Sequence, residues 1–257
     1  MDKFNLSQKL LFFSDIDDTL MQTARKTDFT KETILWGVNK KEEPLSYMYK
    51  GTKIWLDAMI QSDDIAFIPT SARNMQSYQR THFYRDKYYS SNIDMIILNF
   101  GAEIICNNTL DEQWQEIMQN SYNSLKLNID NLYQNVNSLI EDNYSDGHGI
   151  VVKIIDTYYI SIYNKKDRDN ISKNIKLEEL LKDFISDEYY LYINDSSFAI
   201  LPKFLNKKYA VDFVIKKYNP ISSIGAGDNT TDLGFMKLSD FYIIPKDSQL
   251  DSVSSTE

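Results

Sequence analysis

Apolar residues along this chain come in short runs that stop abruptly at polar clusters. LLFFSDI (10–16), DIAFIP (64–69), DMIIL (94–98), ISSIGA (221–226) and FYII (241–244) show little internal alternation. Runs of this kind read as strands buried on both faces, as in a parallel sheet. Stretches with helical periodicity lie between several of them, at 51–62, 74–88 and 207–218. Strands alternating with helices predict an open α/β sheet, whose ligands bind beyond the carboxyl ends of the strands.

The middle of the chain breaks this pattern. Residues 111–142 read as helical, with apolar or aromatic positions at Trp114, Ile117, Met118, Tyr122 and Leu125. Two β-rich runs follow (151–156 and 158–163), then a helix over 168–185, then strand-like runs at 189–193 and 198–202. This αββαββ order predicts an inserted α+β domain over about 107–196, with a core made of 1–106 and 197–257. Residues 22–50, which include Arg25 and Lys26, read as a long polar connection, either a closing loop or a plain excursion.

Composition narrows the classes. A single cysteine, Cys106, excludes a disulfide within the chain and a Cys-rich zinc site. Two histidines, His82 and His148, argue against a multi-His metal centre. The net charge is −9 and no Lys/Arg-rich stripe stands out, so neither nucleic acid nor an anionic membrane is an expected partner. The N-terminal run is broken by acids and lacks a signal-peptide cleavage pattern, so a cytoplasmic location is expected.

Candidate chemistry sits where the apolar runs stop. SDIDDTL (14–20) puts Asp15 and Asp17 at the end of the first run, and GAGDNTTD (225–232) puts Asp228 and Asp232 at the end of the fourth. Alone, the first reads equally well as a solvated turn or a helix N-cap formed by Thr19 or Asp18, and the second reads better as a Gly-Asp-Asn turn with Asp228 or Thr230 starting a helix. Both end strands of one predicted sheet, so they converge on one crevice, where carboxylates from separate strands suit Mg²⁺. PTSARN (69–74) offers the hydroxyls of Thr70 and Ser71 and the guanidinium of Arg73, which either orients the loop or contacts a carboxylate. PKFLNKKYAV (202–211) supplies Lys203, Lys207 and Lys208, and spacing alone does not choose among them.

Together and in this order, the four elements resemble the DxDxT, hydroxyl, lysine and GDxxxD motifs of the haloacid dehalogenase superfamily of phosphohydrolases. The insertion resembles its large-cap branch, and FIPTSARNMQSYQR, LNFGAEII and FYIIPKDSQL look most like proteins related to sucrose- and trehalose-phosphate phosphatases. The resemblance implies a Rossmann-like core with an inserted cap, and a Mg²⁺-dependent phosphatase acting on a small phosphorylated metabolite, a sugar phosphate first. By the same resemblance Asp15 is the nucleophile and Asp17 the general acid/base. Ser71 is the phosphate-binding hydroxyl, with Thr70 as fallback, and Lys207 is the neutralising lysine. Asp15, the Asp17 carbonyl and Asp228 hold the metal, with Asp232 as ligand or support. Lys208 stands where relatives often carry glycine, and Thr231 where they often carry asparagine. The rival reading is a non-catalytic domain that binds a phosphorylated ligand or a protein; none of Asp15, Asp17, Lys207 or Asp228 is lost, as a relic would allow. A phosphosugar mutase comes third, because the inserted region has one arginine, Arg168, to grip a second phosphate.

Overall fold

A computed structural model describes residues 6–145, 147–166, 170–194 and 196–254; Arg168 lies outside them. The chain divides into two compact units, Met1–Gln115 with Asn206–Glu257, and Glu116–Leu205.

The first unit is built on a parallel four-stranded sheet, ordered Phe241–Ile243, Ser222–Ala226, Leu10–Ser14, Ile65–Pro69. Leu10–Ser14 lies at its centre, and Leu11, Phe12 and Phe13 are fully buried, as an unbroken apolar run requires. Phe12 pairs in register with Ile224 on one side and Phe67 on the other, so the carboxyl ends of three strands finish level with one another. Met95–Leu98 was expected in the same ladder. It touches it at one point, a parallel bridge from Ile97 to Thr70. Its regular pairing is antiparallel, with Glu103–Cys106, which in turn pairs with Thr109–Leu110.

Residues 22–49 are no plain connection. They form a three-stranded antiparallel sheet of Gln22–Thr23, Thr33–Val38 and Pro44–Tyr49. Trp36 anchors it, its ring 5.4 Å from Phe83 and 5.1 Å from Tyr89. Truncating such a buried tryptophan typically costs about 3–5 kcal/mol, so this sheet is fastened to the core rather than draped over it. The stretch 74–88 is three short helices, Met75–Tyr78, His82–Arg85 and Lys87–Asn92. Asn74 caps the first by accepting from the Ser77 N–H, and Asp86 breaks the stretch by capping the third, accepting from the Tyr88 N–H.

The second unit carries an antiparallel sheet ordered Tyr189–Asn194, Ser197–Pro202, Tyr159–Asn164, Ile150–Ile155. Its helices Ile129–Asn143 and Ile171–Phe184 bury Leu132, Val136, Ile140, Leu177 and Leu181 with Ile160, Ile162 and Ile200. The helix expected over 111–142 is two, Glu112–Asn123 and Ile129–Asn143, because the Asn128 side chain caps the second. The unit begins and ends later than the 107–196 read from the pattern. The hairpin Glu103–Leu110 belongs to the first unit, and Ser197–Pro202 is an inner strand of the second. Among the described residues no helix is long and apolar enough to cross a membrane.

Candidate active site

The site forms where the central strand runs out. The Asp15 N–H still donates to the Ala226 carbonyl at 2.9 Å, one residue past the strand. The chain then folds into a tight loop, in which Leu20 and Met21 donate to the Ile16 carbonyl and Asp18 to the Met21 carbonyl. Ile16, Leu20 and Met21 are buried beneath it and hold its shape. Asp18 adopts φ +59, a left-handed conformation that aspartate tolerates better than bulkier residues. Because the strand does not continue, Asp15 and Asp17 take different partners.

Asp15 is buried and meets Lys207, whose Nζ donates to Oδ1 at 2.6 Å. The same ammonium donates to Asp232 Oδ1 at 2.8 Å. Lys207 is the first residue of the helix Lys207–Tyr218, capped by Asn206, which accepts from the Lys208 N–H. The turn beneath contains Gly101 at φ +98; a Cβ there would lie 3.0 Å from the Asn206 carbonyl and 3.1 Å from Lys207 Cα. Only glycine lets the two backbones approach so closely.

Asp228 follows the strand Ser222–Ala226 and accepts from the Thr19 hydroxyl at 3.1 Å. Asp232 is fully buried, against Lys207 on one oxygen and the Asn229 N–H on the other at 3.4 Å. A Cβ on Gly227 would fall 2.4 Å from Asp232 Cβ, so the glycine makes room for this carboxylate. Ligand atoms of Asp15, Asp228 and Asp232 all lie within 4.8 Å of one another.

The electrostatics show a cluster short of positive charge. Burial, and then Asp232, Asp228 and Asp17, push the Asp15 carboxyl well above the usual range, against the pull of Lys207. Burial and Asp232 push Asp228 up to about 6. Burial works against the charged Lys207, but Asp15 and Asp232 outweigh it and hold the ammonium protonated. Four carboxylates, counting Asp17, face two cations, Lys207 and Arg73, which leaves two negative charges for a divalent ion to balance. The donors are all oxygen, as a hard cation such as Mg²⁺ requires.

The remaining expected residues divide as follows. The Asp17 carboxylate is not among the three clustered groups; it accepts two bonds from Arg73, at 2.6 and 2.7 Å. The Thr70 hydroxyl is turned onto its own strand and donates to the Ile68 carbonyl at 3.0 Å. Ser71, also buried, accepts the Arg73 N–H at 3.1 Å, which leaves its own proton to donate. Of the three lysines, Lys203 is exposed and Lys208 lies over the Tyr209 ring, so Lys207 alone reaches the carboxylates. Thr231 bonds to the Asn229 side chain, so both belong to the local turn. His148, in the turn of the other unit, accepts the Ile150 N–H. Thr19 carries no role in the sequence reading beyond a helix cap; its place two residues after Asp17 in DxDxT is the signal that points to its bond with Asp228.

The sucrose-6F-phosphate phosphohydrolase family matches the chain over residues 8–249. Among solved structures, it resembles the sucrose-phosphatase from Synechocystis sp. PCC6803 in complex with sucrose and phosphate (12% identity, 96% of each chain, TM-score 0.55). It also resembles the C-terminal domain of C. albicans trehalose-6-phosphate phosphatase (14% identity, 90% of this chain and 74% of that one, TM-score 0.59). At such identities the likeness speaks for the fold. Among curated proteins, none matches the chain.

Proposed function

The chain belongs to the sucrose-6F-phosphate phosphohydrolase family, phosphoric monoester hydrolases of the haloacid dehalogenase superfamily, and on that premise we propose that it removes phosphate from a sugar phosphate through an aspartyl-phosphate on Asp15. The observation that carries this reading is the buried 2.6 Å contact between Asp15 and Lys207, beside the carboxylate cluster and at the end of the central strand.

In this reading Asp15 attacks phosphorus as the bond to the sugar oxygen breaks, and Asp17 gives that oxygen its proton. Asp17 then takes a proton from water, which attacks phosphorus and returns Asp15 as carboxylate. Lys207 holds the nucleophile in place and balances charge on the phosphoryl oxygens, and Ser71 donates a hydrogen bond to one of them. Mg²⁺, held by Asp15, Asp228 and the Asp17 carbonyl, would neutralise the rest of that charge. Asp232 is a further ligand or a support for the others, with one oxygen accepting from Lys207 and the other from the Asn229 N–H. Much of the catalysis in such a site comes from positioning and preplaced charge. We take the working compartment to be the cytoplasm, a reading supported by the single cysteine.

The test is phosphate release from sucrose 6-phosphate, trehalose 6-phosphate, glucose 6-phosphate, nucleotides, phosphoglycerates and p-nitrophenyl phosphate, each with Mg²⁺ and with EDTA. Mg²⁺-dependent turnover that favours a sugar phosphate supports the reading. Turnover undiminished in EDTA removes the metal from it, and preference for a nucleotide or phosphoglycerate removes the sugar.

A further inference from the structure

Arg73 is committed to Asp17. Its Nε donates to Oδ2 at 2.6 Å and its Nη2 to Oδ1 at 2.7 Å, the parallel fork that fixes a carboxylate in plane as well as in place. The other edge of the guanidinium is tied down too: Nη1 donates to the Ser77 carbonyl at 3.2 Å and to its hydroxyl at 3.0 Å. The backbone beneath is held at both ends, by the Arg73 N–H on Ser71 Oγ and the Asn99 N–H on the Arg73 carbonyl. The side chain is only 13% exposed. Arg73 is therefore a strut between the helix Met75–Tyr78 and the loop that carries Asp17.

Asp17 needs such a strut because its neighbourhood offers a competing arrangement. Asp15, two residues earlier, belongs to a carboxylate cluster that would bind a cation, and Asp17 could be drawn into it as a further ligand. A ligand carboxylate is poorly placed to pass a proton to a leaving group. We propose that Arg73 is the positioning residue for Asp17: its fork takes one lone pair of each carboxylate oxygen, fixes the group in one plane outside the Asp15–Asp228–Asp232 cluster, and leaves the second lone pairs to carry a proton to the leaving oxygen of the ester. The inference rests on the reading of Asp17 as proton donor. A lysine could not do the same work, because a single ammonium fixes one point and not a plane.

The experiment compares wild type, Arg73→Gln, Arg73→Lys, Asp17→Asn and the double variant Asp17→Asn/Arg73→Gln. Single-turnover burst rates are read with the best sugar phosphate of the panel and with p-nitrophenyl phosphate, whose leaving group scarcely needs a proton. Misplacing a proton donor by about 1 Å costs roughly 10²-fold, so Arg73→Gln is expected to lose on that order with the sugar phosphate and less than about 5-fold with the aryl ester. Arg73→Lys is expected to fall between, with the same bias, and serves if Arg73→Gln does not fold. In the Asp17→Asn background the Arg73 change is expected to add less than about 3-fold, because it acts through a group already gone. Equal losses on both esters, or a loss that persists in the Asp17→Asn background, overturn the inference while leaving the phosphatase reading intact. A wild-type protein that hydrolyses neither ester overturns both.

Discussion

The two ends of the Asp15–Lys207 ion pair are not equivalent for stability. Asp15, Asp232 and Lys207 are all nearly or fully buried, so removing either partner of the 2.6 Å contact disturbs charges with little water to screen them. Lys207→Met removes the ammonium that bonds both Asp15 and Asp232, and puts an uncharged side chain of similar length where the ammonium lies over the Phe235 ring. Breaking a buried pair so that charge is left uncompensated costs about 3–5 kcal/mol. For a chain of this size each kcal/mol is about 2–4 °C in Tm, so metal-free Lys207→Met is expected to melt roughly 6–20 °C below wild type. Asp15→Asn removes one of three crowded carboxylates and leaves Lys207 its 2.8 Å bond to Asp232. The lost attraction and the relieved repulsion largely offset each other, and the shift is expected within about 4 °C. Activity follows neither number: Asp15→Asn loses the nucleophile and at least ~10³-fold in kcat. The assay is thermal unfolding in EDTA followed by circular dichroism, with phosphate release measured in parallel. Equal drops in Tm for the two variants would refute the charge accounting, and an Asp15→Asn variant that keeps a tenth of wild-type kcat would refute the assignment of the nucleophile.

Three further outcomes follow from the same geometry. The Asp228 carboxyl lies at about 6 against an ordinary 3.8, so the folded metal-free protein binds that proton more tightly than the unfolded chain does. Its contribution is therefore present below about 3.8 and lost as pH rises through 6; Mg²⁺ competes with the proton, so the rise in Tm caused by Mg²⁺ is expected to be larger at pH 7 than at pH 5, and a shift independent of pH counts against Asp228 as a ligand. Ser71→Ala is expected to lower kcat/KM roughly 10–100-fold, the worth of a hydrogen bond to a charged group, whereas Thr70→Val is expected to change it less than about 3-fold and to cost about 1 kcal/mol of stability through the Ile68 bond. Steady-state kinetics and melting distinguish these, and the opposite ranking would hand the phosphate contact to Thr70. Gly101→Ala forces a side chain into a left-handed position and against the Lys207 backbone, so about 1–3 kcal/mol of stability and a fall in kcat are expected together; a variant unchanged in both removes the tight approach as the device that seats Lys207.

How much of this was legible in the chain depended on the range of the interaction. LLFFSDI could be recognised as a strand because a run buried on both faces has no other use for so many consecutive apolar residues; ISSIGA, with two serines and Ile221 exposed, is a weaker signal, and the acids that follow each run mark where the sheet opens. The expected nucleophile, hydroxyl, lysine and acids lay in four short motifs, and the first unit brings all of them to that end of the sheet. Residues 22–49 were misread because their strands are only half buried and their turn at Asn39–Glu43 has no Asn-Gly or Asp-Gly signal; Glu42 takes the left-handed position instead. Tertiary structure also decided which lysine meets the carboxylates, which hydroxyl bonds back to its own strand and which partner each acid takes. Asp15 and Asp17 are two residues apart yet face Lys207, 192 residues from Asp15, and Arg73, 56 residues from Asp17. Alternation along the chain describes a strand, and the strand ends at Ser14. Beyond it the direction of a side chain is set by long-range partners, which no local pattern encodes.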